Sequence, residues 1–120
     1  MTGRGIDQIL SHPSSPALYE PYVTDARDYV RLAEMVHGAM PRRVSPAHVW
    51  GDALDLLRQH GPDVRIVNLE TAITTSGDYW KDKGINYRMH PENVSVLLAA
   101  GIDIVALANN HVLDWGYGGL

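Results

Sequence analysis

The sequence contains no cysteine. Disulfides and thiolate metal sites are excluded, and the redox compartment stays open. No stretch reaches the roughly 18 apolar residues of a membrane-spanning helix. The first residues, Met1-Thr2-Gly3-Arg4-Gly5, lack the apolar core of a signal peptide. The expected location is therefore cytoplasmic by default. The basic residues are scattered and the formal charge is -4, so nothing favours nucleic acid as a partner.

What is present suits one small globular domain. The chain has 120 residues, of which 45% are hydrophobic. Gly3 and Gly5 flank Arg4 and lead into a short apolar piece, which reads as a loop entering a helical turn. Such a loop offers backbone N–H groups to an anion, although a loose terminus is the plainer reading. Pro13, Pro16 and Pro21 then make residues 11–24 a loop, with Tyr19 and Tyr22 as its packing anchors.

A helix is expected over residues 25–36, with Thr24 as N-cap and Gly38 beyond its end. Tyr29, Val30, Ala33 and Val36 share one face at helical spacing. Ser45-Pro46 opens a second helix, expected to run through Val49, Ala53, Leu54, Leu56 and Leu57 and to stop at Gly61-Pro62. Residues 64–70 read as a strand that ends on Asn68 and Glu70, two apart and so on one face. Residues 71–88 form a long polar connection, a candidate lid. Its Tyr79, Trp80 and Tyr87 are expected to clamp it to the body. Pro91 opens a third helix, which Gly101 ends.

The strongest pattern comes last. The apolar run 102–108 contains one carboxylate and reads as a buried strand. It breaks into Asn109-Asn110-His111, with Asp114 and Gly116 just beyond. Helices alternating with apolar strands predict an α/β fold, with helices packed on a mostly parallel sheet. Both strand C-termini then meet at one edge, where such sheets bind ligands. A carboxylate, an amide and an imidazole gathered there suit Mn, Fe, Zn or Mg. His111 can instead serve as a general acid. The plain alternatives are a turn capped by Asn109 or Asn110 and a solvated Glu70.

Asn68-Leu69-Glu70-Thr71 and the run from Ala108 through Asn109-Asn110-His111-Val112-Leu113-Asp114-Trp115-Gly116 resemble the bacterial CapA family. Tyr87-Arg88-Met89-His90-Pro91 sits where that family has its segment before a helix, and the first five residues look like the tail of its first motif. These are capsule and poly-γ-glutamate synthesis proteins with a fold similar to calcineurin-like metallophosphoesterases. The resemblance implies a divalent-metal hydrolase site. Glu70 and Asn110 would be metal ligands and His111 catalytic. Asn68, Asn109, Asp114 and Arg4 would face the substrate or support the ligands. The implied partner is a small-molecule or polyanionic substrate. The family's first aspartate would lie two residues before Met1, on a strand that is absent, and later ligands would lie beyond Leu120. Residues 1–120 are thus expected to be a partial CapA-like domain lacking its first strand and C-terminal half, inactive by itself. The competing expectation is a non-catalytic ligand-binding module, or an inactive fragment with an incomplete metal site.

Overall fold

Proline and glycine set the limits of the helices in the computed structural model, which describes residues 2–120. Met1, the first residue of the motif remnant at the N-terminus, lies outside the described residues. A 3₁₀ turn over Asp7–Ile9 follows the two early glycines, as expected. Gly3 is not loose. A Cβ placed on it would stand 2.2 Å from the Arg88 carbonyl oxygen, so only glycine permits this approach. The proline-rich loop is pinned by Ala26 N–H donating to the Pro16 carbonyl at 2.7 Å. Tyr19 anchors it by stacking on Tyr79 with centroids 3.5 Å apart. Tyr22 is exposed and anchors nothing.

Helix α1 spans Arg27–His37, starting later than the sequence suggests. The side chain of Thr24 does not cap it; Asp25 instead accepts from the Arg27 backbone N–H at 2.8 Å. Its buried residue is Val30, whereas Val36 is exposed, because the core touches α1 only along its first turns. The expected second helix is broken. Pro46–Trp50 is a 3₁₀ turn, Gly51 breaks it at φ 51, and α2 follows over Ala53–His60. Periodicity carried across Gly51 because the glycine costs the pattern only one place. Pro91–Val94 is likewise a 3₁₀ turn, capped by the His90 side chain, ahead of a short α3 over Ser95–Ala99.

Ile9, Leu10, Val30, Val44 and Val96 form the core, with Met40, Val49 and Trp50 packed against it. Each such side chain contributes about 1.5–3 kcal/mol by leaving water. Trp50 adds an indole N–H bond to the Val96 carbonyl at 2.8 Å.

Four short strands complete the α/β fold. Strand β1, Ile66–Asn68, pairs in parallel with β4, Ile104–Ala106, so that Asn68 stands opposite Ala106. Strand β2, Ala72–Ile73, pairs in parallel with β3, Arg88–Met89, at the two ends of what reads from the sequence as a long polar connection without strands. Arg65 braces the start of β1. Its guanidinium donates to the Ala100 and Leu57 carbonyls at the ends of α3 and α2, and its N–H donates to Asp103 Oδ2 at 2.8 Å. A cation suits helix C-termini. The expected burial of 102–108 fails. Ile104, Val105 and Leu107 are exposed, and so is Ile66 on β1. Apolar composition reports what a strand can bury, while burial needs a covering layer, and none of the described residues supplies one to this pair.

Candidate functional site

The parallel pairing brings the ends of β1 and β4 side by side. Asn109 joins them. Its amide N–H₂ donates to Asn68 Oδ1 at 3.0 Å and to the Leu69 carbonyl at 3.1 Å. Its Oδ1 accepts the His111 backbone N–H at 3.0 Å. Both ends of Asn109, and the Asn68 oxygen, are thus engaged in shaping the turn. Asn110 is exposed, and its backbone carbonyl accepts from Lys83 Nζ at 2.5 Å.

The turn after Asn109 folds His111 and Asp114 inward. His111 is buried and Asp114 is fully enclosed. Asp114 Oδ2 lies 2.7 Å from His111 Nδ1 and accepts the Tyr87 backbone N–H at 2.6 Å. Asp114 Oδ1 is paired with Lys83 Nζ. A carboxylate bound to an ammonium is ionised and can only accept, so the imidazole donates through Nδ1–H. That tautomer leaves the Nε2 lone pair directed at Glu70, whose Oε1 is 3.8 Å away. Tyr87 stacks on the His111 ring at 4.0 Å between centroids, fixing its plane.

The 71–88 connection therefore wraps the strand ends. Trp80 N–H donates to the Asp114 carbonyl at 2.8 Å, and Asn86 bridges that carbonyl and the Trp80 carbonyl, both at 3.2 Å. Trp115 is buried, donates to the Tyr87 carbonyl at 2.9 Å and carries the Arg88 guanidinium over its ring at 3.9 Å. Burial pushes the Arg88 pKa down from its ordinary value. Tyr79 clamps the loop as expected, and Trp80 leaves its ring exposed. Arg4 lies 5.3 Å from the Tyr87 ring, ion-paired with Glu20 and bonded to Tyr29. Desolvation, followed by the hydrogen bond to Glu20, pushes the Tyr29 hydroxyl pKa up. An apolar hollow of about 290 Å³ between Gly3 and α1 is bordered by Arg4 and not by His111.

The sequence motifs thus converge as follows. Glu70, Asn68, Asn109, Asn110, His111 and Asp114 share one strand edge, and Arg4 stands behind it. Lys83, Asn86 and the Tyr87 stack were missed as parts of it. The available signal was a lysine in a connection too long for a plain crossover. As metal donors, Glu70 and His111 are, among the described residues, a close carboxylate–imidazole pair with Glu70 partly exposed. No group of three or more His, Asp or Glu among the described residues can hold a metal ion. These side chains alone do not close a metal site.

The family of bacterial capsule synthesis proteins PGA_cap matches residues 1–120. The chain belongs to that family. It is 52% identical, over all of its 120 residues, to probable polyglutamine synthesis accessory proteins from two strains of Mycobacterium tuberculosis, CDC 1551 / Oshkosh and ATCC 25618 / H37Rv. It spans about a third of the length of these curated relatives, 32% of each. No solved structure matches the chain. Among the described residues, no helix is long and apolar enough to cross a membrane.

Proposed function

We propose that the β1–β4 edge is the histidine side of a hydrolase site serving capsule or poly-glutamate synthesis. The observation that carries this reading is the orientation of His111. Its Nδ1–H is held by buried Asp114, and its Nε2 faces Glu70 at 3.8 Å. An imidazole so fixed takes a proton from an attacking water at Nε2 and, once Nε2 carries that proton, gives it to a leaving group or contacts negative charge developing on a scissile phosphoryl or acyl group. Glu70 is partly exposed, so it is reachable by a substrate or an ion. The substrate class is a phosphoester or an amide of a polyanion. The family resemblance adds a divalent metal, Mn, Fe, Zn or Mg, which would supply an activated water when bound. Glu70 and Asn110 are its candidate ligands, and further donors would be needed.

The second reading is a ligand-binding module without turnover, and the small number of metal donors favours it. The two separate in one experiment. The full-length protein is assayed with each of the four metals on a chromogenic phosphoester and a γ-glutamyl amide, alongside His111→Ala and Glu70→Ala. The hydrolase reading expects His111→Ala to lower turnover by about 10²–10⁴ with little loss of metal. Glu70→Ala is expected to lose metal and turnover together. A wild-type rate no higher than that of His111→Ala with every metal selects the binding module.

A further inference from the structure

We infer that Lys83 is a positioning residue that couples closure of the 71–88 connection to the orientation of His111; the catalytic consequence rests on the hydrolase reading above. Lys83 comes from the tip of that connection, far in sequence from the strand-end motif. Its ammonium touches two groups there, Asp114 Oδ1 and the Asn110 carbonyl at 2.5 Å, and stands 3.5 Å from His111 Nδ1, which donates to Asp114. Asp114 is fully enclosed, and Lys83 is its cationic partner among the described residues. A buried carboxylate without a cation is costly. Loop closure therefore brings an ammonium to the enclosed carboxylate that holds His111 Nδ1.

The same carboxylate reads the loop twice, through the Lys83 ammonium and through the Tyr87 N–H. Its residue also reads it through the backbone, since the Asp114 carbonyl takes the Trp80 N–H. With Lys83 withdrawn, Asp114 keeps the Tyr87 bond but loses its counter-charge, and its bond with His111 is no longer fixed in one direction. The imidazole then divides between its two tautomers. Nε2 no longer presents a lone pair uniformly toward Glu70. Lys83 itself is a fifth exposed and directed inward, so it acts through Asp114.

The test uses Lys83→Met, Lys83→Arg and Lys83→Gln in the purified protein, with Gln as the milder change should Met fail to fold. Two measurements are made without any substrate: hydrogen exchange of peptides covering residues 76–87, and the nitrogen-15 signature of the His111 tautomer. The wild type is expected to show one tautomer, Nδ1–H. Lys83→Met, or Gln, is expected to mix the tautomers and to speed exchange at 76–87 at least about tenfold, with β1 unchanged. Arg is expected to restore both. Where the wild type hydrolyses substrate, kcat should fall with KM little changed. An unaltered tautomer in a folded Met or Gln variant overturns the inference, as does faster exchange with kcat intact. A wild type that hydrolyses nothing removes the hydrolase reading alone, and the tautomer still decides the role of Lys83.

Discussion

Asp7 and Asp114 are both fully enclosed, yet they are built into opposite kinds of place. Asp7 accepts from the Ser14 backbone N–H at 2.6 Å, the His90 backbone N–H at 3.1 Å and the Asn93 amide at 2.6 Å. Each of those donors is neutral, and they come from two separate stretches, the proline-rich loop and the turn that His90 caps. Asp114 accepts from an imidazole, an ammonium and one backbone N–H. Burial is equal, so burial does not distinguish fastening from chemistry. The partners do. A carboxylate that ties neutral donors holds the chain together, whereas one that faces titratable groups sets their protons. His111, the neighbour that Asp114 orients, has an outward-facing nitrogen. The donors to Asp7, from Ser14, His90 and Asn93, lie outside β1, β4 and the turn after them.

The largest expected effect is on stability, at Asp7. Asp7→Ala leaves the Ser14 and His90 backbone N–H groups without this acceptor and the Asn93 amide with the His12 carbonyl alone. Bonds to a charged group contribute about 1.5–3 kcal/mol each and do not simply add, so a loss of about 3 kcal/mol or more is expected. That is a large part of a small domain's stability. Urea unfolding measures it, and the His111 tautomer, read on the folded fraction, should stay Nδ1–H. A change of tautomer in Asp7→Ala would erase the contrast with Asp114.

Asp114→Asn should show the reverse emphasis. The amide keeps one acceptor but presents an N–H₂ group to the ammonium or the imidazole. A stability loss of about 1–3 kcal/mol is expected, smaller than at Asp7 because part of the bonding survives. The tautomer should change, since an amide can donate to Nδ1 where the carboxylate only accepts. Nitrogen-15 spectra and urea unfolding on the same sample separate the two effects. Asp114→Asn with the native tautomer and a loss as large as that of Asp7→Ala would make Asp114 a second fastener.

This contrast shows why only part of the molecule is legible in the sequence. The α/β class and the parallel pairing follow from alternating helices and apolar runs, and β1 and β4 pair accordingly. Convergence of Glu70 and His111 follows from that pairing. Lys83 reaches Asp114 across 31 positions through a loop whose path no periodicity records. Asp7 reaches Asn93 across 86, and its place in a weak 3₁₀ turn gives no sign of burial. Strands β2 and β3 are two residues each, too short for alternation to register. The exposure of β4 is set by what packs over it, which its own residues do not encode.

A third aspartate gives the smallest expected effect and limits the comparison from the other side. Asp25 is ion-paired with Arg27 at 2.5 Å, as strongly bonded on paper as either buried residue, but it is partly exposed and its partner is open to solvent. The Arg27 side chain, and then its backbone N–H, hold the Asp25 carboxyl down at about 2 from a starting value of 3.8. A carboxyl whose pKa is lower in the folded chain stabilises it above the unfolded value. That contribution is complete above pH 3.8 and disappears as the pH falls toward 2. Water and salt screen the pair, so the contribution is small even where it is complete. Asp25→Asn should therefore lower the melting temperature at pH 7 less than either buried substitution. The difference from wild type should shrink in 1 M salt and again below pH 3, because protonation makes the wild type resemble the variant. Melting curves at pH 7 and pH 2.5, with and without salt, measure this. A loss at Asp25 equal to that at Asp7, or one indifferent to salt, would mean that enclosure is not what gives the buried aspartates their weight.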